Sequence, residues 1–164
     1  MSRPGPRSAL ALLLAVFSCA PGRAPSAWSR TDEARIFLID RDDGGVAGPR
    51  IGCGDSVVAV EVALPAPRPA LRGALEALLA IDTPYHPATG LYNALHASPL
   101  EIRRVQNRDG RVRIDLAGWV ELQEQCDGPR VLEQLTRTAG QFPDVRDVEI
   151  WVDGVRLDSV LKAR

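Results

Sequence analysis

The sequence predicts an α+β fold, a single mixed β-sheet of about five strands with two helices packed on one face, in the order β-β-α-β-β-α-β. Three observations predict it. Runs at 35–40, 55–65, 111–118 and 147–154 are rich in Val, Ile and Leu and have the composition of strands. Stretches at 69–81 and 129–142 repeat apolar residues at helical spacing. Asp109-Gly110 stands between two strand-like runs, the signature of a tight hairpin.

Each element has its own warrant. Arg35 to Asp40 is a short strand, followed by a Gly-rich turn. Asp55 to Pro65 is dominated by Val and Ala on both faces, which suits a central strand. In the first helix Leu71, Leu75, Leu78 and Leu79 share one face, Pro69 sits near the first turn, and Asp82-Thr83-Pro84 ends the run. The segment from Thr83 to Pro99 is a long irregular connection. In the hairpin after it, Val112, Ile114 and Leu116 alternate with Arg113 and Asp115, so one face is dry and one wet. The first arm loses its alternation after Ile102, which predicts a bulge or an early strand end. The second helix is capped by Asp127 or Gly128, with Pro129 in its first turn. Val131, Leu135, Thr138 and Phe142 line its buried side, joined by Leu132 and Ala139. In the last strand Val148, Ile150 and Val152 point one way and Trp151 the other, under a helix or against the sheet edge; Asp153-Gly154 turns the chain afterwards.

The front of the chain reads as an address. Arg3 and Arg7 precede a solid apolar run, and small residues with Pro and Gly follow it, the layout of a secretory signal. A spanning helix needs roughly 20 apolar residues, and this run has about ten. Val16-Phe17-Ser18-Cys19 resembles a bacterial lipobox, which makes Cys19 the expected lipidation site. Simple cleavage after Ala20 is the alternative. The expected organisation is a signal peptide at 1–18, a lipid-anchored tether at 19–34, one domain at 35–158 and a tail at 159–164. Arg3 and Arg7 are the only charged residues before Cys19, so the chain after it keeps 18 of the 20 basic and all 21 acidic side chains. It has no basic run, which argues against nucleic acid as a partner.

The chain has three cysteines, and lipid on Cys19 leaves Cys53 and Cys126 as an even pair in an oxidising compartment. A disulfide between them is expected, the alternative being two unpaired thiols.

The run Gly110 to Gly118, then a capped helix leading into Leu135 to Gly154, resembles the GerMN domain of bacterial sporulation and germination proteins and of many envelope lipoproteins. Three pieces carry the resemblance: Ile114-Asp115-Leu116-Ala117, Thr136 through Pro143, and Val152-Asp153-Gly154. The Ala/Leu-rich helix from Ala70 and the later Gly90-Leu91 also fall where the family has an Ala/Leu-rich helix and a Gly-Leu loop. The likeness extends from Ala34 to Leu157. Ala117 stands where the family has Ser, and Asp82-Thr83-Pro84 where it often has Gly-Pro. The resemblance implies a noncatalytic envelope lipoprotein module for protein binding or assembly, with an envelope protein or a second copy as partner. It also strengthens the reading of Cys19 as a membrane anchor on the extracytoplasmic face.

A catalytic reading would use Cys53 or Cys126 as thiolate, His86 or His96 as base and Asp115 to orient the base. No motif of known mechanism surrounds them, so no catalytic residue is assigned. The ten-residue spacing of His86 and His96 matches no standard metal site, and neither metal nor cofactor is expected. The long connection concentrates apolar and aromatic groups, so Tyr85, Leu91, Tyr92, Leu95 and His96 are the expected partner-binding residues, the alternative being a loop that covers one end of the sheet. A cell-wall glycan binder remains the alternative among binding modules, and a Cys/His envelope enzyme the alternative among catalysts. No small-molecule substrate is indicated.

Overall fold

A computed structural model describes residues 1, 33–64 and 69–162. The signal segment, Cys19 and most of the tether lie outside the described residues. Nine elements follow in chain order: β1 (Glu33–Asp40), β2 (Ser56–Ala63), α1 (Ala70–Leu79), β3 (Leu100–Arg108), β4 (Arg111–Gly118), α2 (Asp127–Gly140), β5 (Asp147–Val152), β6 (Val155–Arg156) and α3 (Leu157–Lys162). The fold is α+β, but its strands form two sheets where one was expected. β1 and β2 pair antiparallel, from Glu33 opposite Ala63 to Asp40 opposite Ser56. The other four make a mixed sheet in the order β3-β4-β5-β6, with β4 and β5 parallel.

The division has a physical cause on the outer edge of β1. Three alternate residues there, Arg35, Phe37 and Ile39, meet no further strand. Arg35 N–H donates to Gln141 Oε1 at 2.8 Å, and Gln141 Nε2 returns a bond to Arg35 O. Phe37 N–H donates to Thr138 Oγ1 at 3.2 Å, and Phe37 O accepts from Gln134 Nε2 at 3.0 Å. Ile39 exchanges both backbone bonds with Tyr92 in the long connection, at 2.9 and 2.8 Å. Side chains of α2 thus take the place of a neighbouring strand.

The core lies where these layers meet. Ile36 and Leu38 of β1, Leu71, Leu75 and Leu78 of α1, Ile114 and Leu116 of β4, and Leu135 of α2 are all buried. Each such side chain contributes about 1.5–3 kcal/mol relative to exposure. The face of α1 is the one its Leu spacing predicts, although Leu79 is only partly buried. The β3–β4 hairpin turns at Asp109 and Gly110, both with positive φ (53° and 87°), as a type I′ turn requires. The register shifts between Ile102 and Arg104, at the expected bulge.

Several details differ from expectation. The final strand does not end the fold: Asp153-Gly154 turns the chain back into β6, and α3 follows, burying Leu157. Leu132 faces solvent. Trp151 lies under no helix; it shares the outer sheet face with Arg113, whose guanidinium stands 4.3 Å from the ring centroid. Among the described residues, no helix is long and apolar enough to cross a membrane.

Gln134 is the sharpest test of the edge contact. Gln134→Leu orphans Phe37 C=O and Ala94 N–H, and each buried orphan costs about 1–3 kcal/mol. The urea midpoint should fall by the equivalent of the combined loss with an unchanged slope. Thr138→Val orphans Phe37 N–H alone and should cost less.

Candidate functional site

The residues singled out in the long connection meet the start of α2 at one end of the molecule. The connection is a compact structure of its own. His86 N–H donates to Leu91 O at 2.8 Å, and Tyr85 and Tyr92 face each other as a bridge. Asn93 pins it from inside: fully buried, it donates through Nδ2 to Ile81 O at 2.8 Å and accepts at Oδ1 from Leu95 N–H and Gln134 Nε2. Ala94 N–H donates to Gln134 Oε1 at 2.9 Å, so the glutamine that closes the edge of β1 also holds this connection.

Beneath it lies a buried charge cluster. Arg130, 3% exposed, donates through Nε to Asp55 Oδ2 at 2.6 Å and through Nη1 to Glu124 and Asp127 at 2.9 and 3.2 Å. Asp55 Oδ1 accepts from Asp42 N–H. Asp127 accepts the backbone N–H groups of Gln123 and Glu124, so it secures the turn before α2 instead of capping the helix's own amides. The cysteine beside each of these acids is part of the same joint. Cys53 and Cys126 form a disulfide with a Cα–Cα distance of 6.1 Å. One sulfur bond and one ion pair therefore tie the 53–55 turn to the N-terminus of α2. Burial opposes charge on Arg130, but its hydrogen bonds to Asp55, Glu124 and Asp127 outweigh it and hold the guanidinium above its ordinary range.

Tyr92 sits over this cluster. Its hydroxyl donates to Asp127 at 3.2 Å, and its ring faces the guanidiniums of Arg41 and Arg130 at 4.9 and 5.3 Å. Burial, and then the charge of Asp127, push the phenol above the ordinary tyrosine range, so it stays a donor. Arg41 extends the network outward, donating to Glu124 Oε2 at 2.8 Å and to Tyr85 Oη at 3.2 Å. A shallow recess of about 320 Å³ opens between Arg41, Asp42, Tyr85, Gly90 and Tyr92.

The expected contact residues thus divide. Tyr85 is 51% exposed, and Leu91 and His96 are partly buried. Tyr92 and Leu95 are each 3% exposed, so neither offers its side chain to a partner. Both were named as contact residues because an irregular segment has no period to reveal the direction of a side chain; their burial is that of a loop that covers the sheet end. His86 Nδ1 contacts Thr89 Oγ1, and His96 Nδ1 contacts Asn93 O. Asp115 lies on the outer sheet face paired with Arg113 at 2.8 Å, away from both histidines. Among the described residues, no group of three or more His, Cys, Asp or Glu is placed to hold a metal ion. Sequence reading missed Arg41, Asp55, Glu124, Arg130 and Gln134. Their one signal is on α2, where Asp127, Arg130, Gln134, Thr138 and Gln141 recur at helical spacing, a pattern that ordinarily marks a solvated face.

The fold and this end of the molecule define a disulfide-joined α+β module whose buried acids at this end, Asp55 and Asp127, are engaged in holding it together. Residues 38–158 match the Germane family model, described as sporulation and spore germination, and the chain belongs to that family. Among solved structures it is similar to the first GerMN domain of the sporulation protein GerM from Bacillus subtilis. The identity is 20% and the TM-score 0.54, over 77% of this chain and 86% of that one. It is also similar to the tandem GerMN domains of the same protein, at 16% identity and TM-score 0.53, over 75% of this chain and 39% of that one. No curated protein matches the chain. The GerMN-like fold expected from the sequence is the fold observed.

Two outcomes test the cluster. Arg130→Met leaves Asp55 and Asp127 buried without their cation and should cost about 3–5 kcal/mol. Adding Asp55→Asn should recover part of that loss in urea unfolding. The phenol of Tyr92 titrates higher folded than unfolded, so its contribution is whole below the unfolded value of about 10 and fades as pH rises beyond it. The stability gap between the wild type and Tyr92→Phe should therefore narrow above that pH.

Proposed function

We propose that this chain is a noncatalytic module of the bacterial cell envelope, anchored through lipid on Cys19 and serving protein binding or assembly. The observation that carries the reading is that its cysteines, histidines and buried acids are engaged within the fold. Cys53 and Cys126 are bonded to each other, so neither is held as a thiolate. Each histidine is engaged through Nδ1 within its own loop. Asp127 and Arg130 answer one another and the backbone around them. A site built this way supplies a fixed surface instead of a reacting group. The family description, sporulation and spore germination, supports an envelope setting, and a disulfide suits an exported protein.

The surface offered at this end is Tyr85 with Leu91 and His96 at its margin. Tyr85 is amphipathic and is steadied by Arg41, so ordering it on contact costs little.

Protein recovered from native membranes should carry a diacylglycerol mass on Cys19, and Cys19→Ala should leave the membrane fraction. A stable species that begins at Met1 with every thiol free overturns the reading. A photo-crosslinker at Tyr85 should give a discrete heavier product that the same crosslinker at Arg137 does not give. Quantitative labelling of the unreduced protein by a thiol probe would favour the Cys/His enzyme instead.

A further inference from the structure

The outer face of the four-stranded sheet carries four arginines, of which Arg104 and Arg108 have no role in holding the fold. Register places Arg108 directly opposite Arg111, Gln106 opposite Arg113 and Arg104 opposite Asp115, all on the side away from the buried Val112, Ile114 and Leu116. They line an open groove of about 740 Å³. Three acids, Asp109, Asp115 and Glu149, line the groove with the four arginines. Asp115 pairs with Arg113 at 2.8 Å, and Asp147 stands 3.5 Å from Arg111. Arg104 and Arg108 form no ion pair with any described residue.

Two ordinary explanations fall short. Cations on an edge strand discourage unwanted strand pairing, and β3 is an edge strand. That accounts for Arg104 and Arg108 but not for Arg111 and Arg113 on the interior strand β4. A solvated face explains charge of either sign, yet like charges directly opposite across strands are destabilising, and Arg108 with Arg111 is such a pair.

We propose that this arginine groove binds an extended acidic peptide segment of a protein partner. Arg104 and Arg108 lie four residues apart on one strand, about 13 Å by the strand rise. Alternate carboxylates of an extended peptide repeat at the same period, and arginine pairs with carboxylate through two parallel hydrogen bonds. Asp147 and Glu149 on β5 bound the positive half of the face. They would repel a polymer charged without interruption, which favours a peptide over a phosphate chain. The inference rests on the protein-binding reading above, but its test leaves Tyr85 untouched, so the two can fail separately.

The test is fluorescence anisotropy of a labelled peptide of four Glu-Ser repeats against the full-length chain. Binding should weaken as salt rises. Arg104→Glu with Arg108→Glu should weaken it by about tenfold or more, while Arg50→Glu, outside the groove, should change it by less than about twofold. Arg108→Glu alone should weaken binding yet raise the thermal midpoint, because it turns a like-charge pair into an attractive one. An arginine held only for structure would lower that midpoint. No peptide binding, equal losses in the groove and Arg50 variants, or tighter binding of inorganic polyphosphate than of the peptide would each overturn the proposal.

Discussion

A β-strand has two edges, and in β1 one of them faces side chains instead of another strand. Gln134 and Thr138 on α2, and Gln141 at its C-terminal cap, satisfy Phe37 and Arg35 in order. An unsatisfied edge would either draw in another chain or leave buried backbone groups without partners, and both are costly. The side-chain ladder removes the choice. It also fixes the height of α2 along β1, because a shift by one helical turn would misalign every bond. The apolar residues Val131, Leu135 and Ala139 add adhesion on the neighbouring stripe of the helix, but packing alone tolerates sliding.

Arg130 continues that polar stripe toward the helix start, where the constraint becomes ionic. A buried ion pair is weak evidence for stability, since desolvation offsets most of its attraction. Its value here is positional. Asp55 lies two residues past Cys53 and Asp127 follows Cys126, so charge and sulfur specify the same meeting of turn and helix. The disulfide restricts the unfolded chain, whereas the guanidinium, donating only in certain directions, selects one arrangement of the folded one. Neither device substitutes for the other.

Those two devices mark where the sequence was legible and where it was not. Strand and helix periods gave β1, β2, α1, the β3–β4 hairpin, α2 and β5, because alternation and helical spacing act within one segment. Even the bulge after Ile102 was readable, from a lapse in alternation. Partnership is a property of two segments, and no period reports it. The strands were therefore expected in one sheet, and Arg130 and Gln134 of α2 were given no role. Tyr92 and Leu95 failed for a related reason. They lie in an irregular stretch, where burial depends on a hydroxyl reaching Asp127 and an amide reaching Asn93, contacts made across 35 residues in one case and 2 in the other. The turn at Asp153-Gly154 was found, but its consequence, a short returning strand with Leu157 seated behind it, needed the tertiary core.

The same chain of contacts decides how rigid the exposed end can be. Tyr85 is bonded by Arg41, Arg41 by Glu124, Glu124 by Arg130, and Arg130 by Asp55, so a residue at the surface is connected in four steps to an acid with no exposure at all. An exposed salt bridge alone is worth little. Here each outer link leans on an inner one that is buried and cannot easily move. A partner meeting Tyr85 would find it already oriented, and would lose little freedom in fixing it. The outer sheet face is built differently. Its arginines project from strands whose backbone is fixed by register, while Arg104 and Arg108 keep free side chains. The first surface is suited to a partner of matching shape and the second to one of matching charge, and the distinction follows from which residues the fold uses to hold itself together.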